Sequence, residues 1–177
     1  MNQLGFIDFD NLTSEQIAKL KPRYAARAVV FDNEGNVALL NVSRHHYHKL
    51  PGGGVERSED IPAALHRECQ EEIGCSVTVT SELGFVLEYR GGLRQESYAY
   101  LARVNGAKGK PKFTQEEIEN GFKGVWVNPD EAIGLLESDK PDDYFGKYIQ
   151  ARDLIFYGKP NACWQERKND QALYYWF

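Results

Sequence analysis

Glu68, Glu71 and Glu72, set close together in "RECQEEIG" (67–74), are the residues whose types and spacing point most directly to chemistry. A helix turns about 100° per residue, so on a helix these three carboxylates share an arc of roughly 100°. Ile61, Leu65, Cys69 and Ile73 recur at i, i+4 on the flank of that arc, which places the acids at the rim of a packed face. Gly74 reads as the stop of the same helix, so the acids fall on its last turns. Like charges one turn apart repel by about 0.2–0.5 kcal/mol. Acids at the negative end of the helix dipole cost about 0.3–1 kcal/mol more each. A solvated acidic face is the simpler reading of an ordinary acidic pair, but clustering, position and the apolar flank all count against it here. A hard divalent cation removes the conflict, because oxygen ligands are what such ions take.

The neighbouring residues fit that chemistry. Gly52, Gly53 and Gly54 precede the helix and supply backbone freedom and close approach, with a main-chain carbonyl available to complete a metal shell. Arg67 adjoins the acids and is of the type that orients carboxylates through charge-assisted hydrogen bonds; Glu59 lies eight residues earlier.

The stretch "GGVERSEDIPAALHRECQEEIGC" (53–75) resembles the Nudix box, the signature of the MutT-like Nudix hydrolases. Gly53, Glu59, Arg67, Glu68, Glu71, Glu72 and Gly74 occupy all seven of its invariant positions. At ordinary residue frequencies, seven such matches coincide by chance roughly once in 10⁸–10⁹ starts. Cys69 and Cys75 stand where the pattern usually has bulky aliphatic residues, a departure that touches packing rather than chemistry. The similarity extends over about residues 22–137. It implies an α/β fold, an α/β/α sandwich around a mixed β-sheet. It also implies hydrolysis of the pyrophosphate bond of a nucleoside diphosphate linked to another group.

In that reading Glu68, Glu71 and Glu72 hold Mg²⁺, or Mn²⁺, with the Gly53 carbonyl as a further ligand. Arg67 orients Glu68, and Glu59 supports the loop or an additional ion. Water attacks phosphorus in line while the ions neutralise the diphosphate. The general base is either a box glutamate or one from the later loop "TQEEIENG" (114–121), where Glu117 is the candidate beside Glu116 and Glu119. Arg27, Arg44, Arg90 and Arg94 are candidates for substrate phosphates, with His46, His48 and Lys49 beside the glycines. Tyr98, like Tyr47 and Tyr89, is of the type that stacks on a base or sugar. The segment "RGGLRQ" (90–95) carries neither the proline associated with ADP-ribose hydrolases nor the tyrosine of dinucleoside polyphosphate hydrolases. The substrate class therefore stays open among nucleotides. The rival reading is a Nudix-fold sensor that binds a nucleotide without cleaving it. Retention of every box acid favours catalysis.

The elements that must position these groups are legible in outline. "RYAARAVVFD" (23–32) and "NVALLNVS" (36–43) flank the turn "DNEG" and predict a β-hairpin; "SRHHYHK" (43–49) reads as a polar loop. The central helix is expected from about Asp60 to Ile73. Strands are expected at 76–81, 83–90, 95–104 and 123–128, and helices at 13–20, 129–137 and 141–158. The expected organisation is an N-terminal flanking segment (1–21), one hydrolase domain (22–160) and a C-terminal tail (161–177) ending in "LYYWF".

Across 177 residues, 42% hydrophobic and 27% charged content are globular values. A formal net charge of −5 argues against a duplex nucleic-acid binder. Asp8 and Asp10 interrupt the first apolar residues, so no signal peptide or membrane anchor is expected there. Three cysteines without metal spacing suggest reduced thiols in a cytoplasmic protein, monomeric or homodimeric.

Overall fold

The computed structural model describes residues 1–158; the expected aromatic tail lies outside them. Seven strands form one mixed sheet: β1 (Gln3–Ile7), β2 (Lys21–Phe31), β3 (Val37–Val42), β4 (Tyr47–Lys49), β5 (Val77–Arg90), β6 (Leu93–Val104) and β7 (Phe122–Val127). The strand order is β1-β5-β6-β2-β3-β4, and β7 also pairs with β3. The helices are α1 (Ser14–Ile17), α2 (Ile61–Glu72), α3 (Gln115–Glu119), α4 (Pro129–Ser138) and α5 (Tyr144–Gly158).

Alternation along the strands splits the core into two layers. Ala26, Ala28, Val30, Tyr100 and Ala102 face α2 and pack on Ala64, Leu65, Cys69 and Ile73. Val29, Leu39, Val86, Ala99 and Leu101 face the opposite way, onto Leu136 of α4 and Tyr148 and Phe156 of α5. Helices on both faces of a mixed sheet make the expected α/β/α sandwich.

Three local expectations change. The predicted hairpin keeps its turn, where Asp32 Oδ1 accepts the Glu34 and Asn36 N–H groups, but β2 and β3 pair only at Phe31–Val37 and then diverge. The stretch read as a polar loop is a 3-10 turn (Ser43–His45) followed by β4, whose Tyr47 and Lys49 are buried. The two strands expected at 76–90 are one bent strand, β5, with register shifts at Val79/Ser81 and Glu82/Gly84. The flanking segment contributes β1, a parallel edge strand on β5 that the sequence reading did not anticipate.

The divergence of β2 from β3 builds the site. Segment 51–55 enters the gap and pairs with the freed edge of β2: Ala28 N–H donates to Pro51 O, Ala26 N–H to Gly53 O, and Val55 N–H to Tyr24 O. Gly52 runs so close to β2 that a Cβ would lie 2.1 Å from Ala26 O, at a φ of +131° that favours glycine.

Candidate active site

Helix α2 begins where Asp60 accepts the Ala63 N–H and Pro62 occupies the first turn. Its end is closed by Gly74 in the left-handed region (φ +66°) and by segment 109–112, whose Gly109 and Lys112 N–H groups donate to Gly74 O and Glu71 O. The apolar stripe anchors the helix on the sheet and carries Glu68 and Glu72 into the core boundary, at 9% and 2% exposure, while Glu71 stays half-exposed.

Arg67 organises the carboxylates, and all five of its N–H groups are used. Nε and Nη2 grip Glu59 at 3.1 and 2.7 Å, and Nη2 also donates to Gly54 O at 3.0 Å. Nη1 donates to Glu68 Oε1 at 2.9 Å and to Glu71 Oε2 at 3.0 Å. These hydrogen bonds, Glu59 foremost, raise the Arg67 pKa and hold Glu59 below the usual carboxylate range. Glu59 Oε1 also accepts the Glu56 N–H, so this acid braces the loop ahead of α2.

Glu72 is held differently. Oε1 accepts from Lys49 Nζ at 2.6 Å and Oε2 from the Gly52 N–H at 2.6 Å. Burial raises its pKa despite the neighbouring ammonium. Gly53 passes over Glu68 so closely that a Cβ would lie 2.1 Å from its Oε1. The result is a cradle of hard oxygen donors with main chain against it, the donor chemistry of a divalent cation rather than of a soft metal.

A buried polar layer lies behind the cradle, on the α5 face of the sheet. Arg27 is 5% exposed; burial and, after it, Arg152 lower its pKa to about 10 against the opposing pull of Asp153, Glu72 and Glu68. Arg90 stands 3.2 Å from Glu88 and donates to Gln95, which also receives Arg23 Nη1. Arg152 donates to Asp153, whose other oxygen takes the Leu50 N–H at the start of the glycine loop. Thus α5 fixes the segment that carries the cradle.

The candidate substrate residues are not all brought together. Arg27 and Arg90 share this layer. Tyr98 lies on the opposite, α2 face, where with Tyr24, Tyr100, Val55, Ile61 and Glu59 it lines a surface cleft of about 480 Å³. Arg44 is exposed on the 3-10 turn, and Arg94 pairs with Glu96. Glu117 caps its own short helix, accepting from Thr114 N–H and Oγ1 at 2.7 and 2.9 Å. Arg23, Arg152, Asp153 and Glu88 escaped the sequence reading. Arg23 and Arg27 are an even number of positions apart on one strand, and Arg152–Asp153 interrupt an apolar helix, so both signals were present.

A separate His45–Asp142–Asp143 group has ligand atoms within 4.8 Å of one another, at the start of α5 rather than in the cradle. Cys69 and Cys75 are buried free thiols, whereas Cys163 lies outside the described residues. No helix among the described residues is long and apolar enough to cross a membrane.

Comparison with known proteins agrees with this geometry. The diphosphoinositol polyphosphate phosphohydrolase 3-beta of Homo sapiens is 29% identical over 122 residues, covering 68% of this chain and 72% of that protein. The Bos taurus protein of the same name is 28% identical over 138 residues, covering 76% of this chain and 79% of that protein. Two solved structures share the fold. A NUDIX hydrolase from Nitrosomonas europaea has a TM-score of 0.53 at 18% identity, covering 73% of this chain and 86% of that one. An ADP-ribose pyrophosphatase from Streptococcus suis has a TM-score of 0.51 at 18% identity, covering 78% and 91%. The family model for the NUDIX domain matches residues 21–148, most of the chain and all of the cradle, and the protein belongs to the Nudix hydrolase family.

Proposed function

We propose that this protein is a nucleotide pyrophosphohydrolase that uses Mg²⁺, or Mn²⁺, to cleave the diphosphate of a nucleoside diphosphate linked to another group. The observation that carries the reading is the Arg67-organised cradle of Glu68, Glu71 and Glu72 beneath Gly53. Those three carboxylates and the Gly53 carbonyl would hold the ion, which when bound neutralises diphosphate oxygens and acidifies water. Arg67 fixes the directions of Glu68 and Glu71, and the Gly52 N–H does the same for Glu72. Glu71 is the freest of the three acids and the best placed to accept a proton from water. Glu117 would serve only after giving up its cap.

A second reading is cleavage of a diphosphoinositol polyphosphate, favoured by the names of the two curated relatives. A mixed panel of nucleoside triphosphates, nucleotide sugars, ADP-ribose, dinucleotides and a diphosphoinositol polyphosphate, assayed with Mg²⁺, separates the two. The expected result is cleavage of a nucleotide that disappears in Glu71→Gln. Cleavage of the inositol substrate alone would select the second reading. Nucleotide binding without cleavage of anything would mark a sensor.

A further inference from the structure

We propose that Lys49 is a built-in counter-cation of the glutamate cradle. It neutralises Glu72 in the metal-free protein and lowers the cradle's affinity for a divalent ion. The inference rests on the reading of Glu68, Glu71 and Glu72 as the metal-holding residues.

Among the described residues two cations pair directly with these four carboxylates. Arg67 takes Glu59, Glu68 and Glu71, and Lys49 takes Glu72, with Arg27 acting on Glu72 and Glu68 from farther behind. The Lys49–Glu72 pair is the most buried of these contacts, with side chains 10% and 2% exposed and atoms 2.6 Å apart. The ammonium is fixed on both sides, lying 5.2 Å from the centre of the Phe122 ring as well as against the carboxylate. Strand β4 supplies it, and the pairing of Lys49 with Leu40 in β3 keeps the stem in the core layer beside the glycine loop. A divalent ion that reaches Glu72 Oε1 therefore meets a positive charge already bound to that atom. At this burial, like charges interact strongly.

The consequence is a trade. Without metal, Lys49 spares the fold an unpaired buried carboxylate. With metal, the ammonium either shares the oxygen at a cost or turns away.

The test measures Mn²⁺ binding to EDTA-stripped protein by electron paramagnetic resonance of the free ion, alongside thermal unfolding in EDTA and in Mn²⁺. Lys49→Met and Lys49→Gln are compared with wild type, each also in a Glu71→Gln background. The expected result is Mn²⁺ affinity raised about tenfold or more in both Lys49 variants. Their melting temperatures should fall in EDTA, with the gap to wild type narrowing in Mn²⁺. If a variant unfolds in EDTA, recovery of structure on adding Mn²⁺ is the supporting readout, and failure to recover overturns the proposal. Mn²⁺ affinity unchanged or weakened in the Lys49 variants, while wild type binds and Glu71→Gln does not, overturns the Lys49 inference alone. Absence of binding in wild type and variants alike overturns the metal cradle together with it.

Discussion

Replacing Arg67 by lysine keeps the charge and removes the fork, which isolates what the fork contributes. The guanidinium places five N–H groups on five acceptors: two on Glu59, one each on Glu68 and Glu71, and one on the Gly54 carbonyl. A lysine ammonium has three N–H groups on one atom, so at least two acceptors lose their donor. A hydrogen bond to a charged group contributes about 1.5–3 kcal/mol. The Arg67 side chain is 26% exposed, so the lower part of that range applies. The expected loss is about 2–4 kcal/mol, a large share of the roughly 5–15 kcal/mol that holds an ordinary domain together. Equilibrium urea unfolding in EDTA reads it: the midpoint should fall with the slope unchanged. Mg²⁺ should recover part of the loss, because the ion supplies charge to Glu68 and Glu71 that the lysine delivers poorly. Turnover should fall further than stability explains, since both acids lose their fixed directions. A loss below about 1 kcal/mol, the worth of a surface ion pair, would refute the argument that Arg67 organises the cradle.

Neighbouring glycines should respond differently. In Gly53→Ala the new methyl meets the Glu68 carboxylate, which must give up its Arg67 hydrogen bond to make room, so stability should fall by about 1.5–3 kcal/mol while hydrolysis falls about 100-fold or more. In Gly52→Ala the methyl meets the Ala26 backbone at a φ that disfavours alanine, and the expected outcome is a loss of about 3 kcal/mol or more, read as misfolding or a much lower melting temperature. Burial pushes the Asp32 carboxyl up, but the donors Lys108, Asn36 and Glu34 together hold it below its ordinary value. Its stabilising contribution is therefore present above the unfolded carboxylate pKa of about 3.9 and is lost as pH falls through the folded value. Asp32→Asn should cost about 1–2 kcal/mol at pH 7 and progressively less as pH falls below the unfolded value of about 3.9, as measured by urea midpoints across that range.

The box was legible because its penalties are local: acids at a helix end and glycines at fixed distance from them follow from chain spacing alone. Helix α2 accordingly falls where its N-cap, stripe and glycine stop put it. What was not legible depends on which strands become neighbours. Lys49 looked like one of several polar residues in a loop; it proves to be buried because β4 pairs with β3 and turns the side chain toward Glu72. Tyr98 and Arg27 looked equally suited to a substrate, yet Ala26, which neighbours Arg27 in β2, is the residue that faces Tyr98 across the parallel β2–β6 pairing. The pleat then sends Arg27 and Tyr98 to opposite faces of the sheet. Glu117 carried a capping-box signal in "TQEE", and that local bond now holds its carboxylate.

The placement of acids on the last turns of α2 follows from the same accounting. Segment 109–112 satisfies carbonyls at the helix end through its main chain. Among the described residues Arg67 and Lys49 are the cations paired directly with the four carboxylates of Glu59, Glu68, Glu71 and Glu72, while Arg27 acts on Glu68 and Glu72 from behind. The negative end of the helix dipole adds to the imbalance rather than relieving it. A fold selected for stability alone would reverse this arrangement by setting lysine or arginine on the last turn. Here the local terms that destabilise the cradle on its own would also strengthen its attraction for a divalent cation, as the proposed function requires.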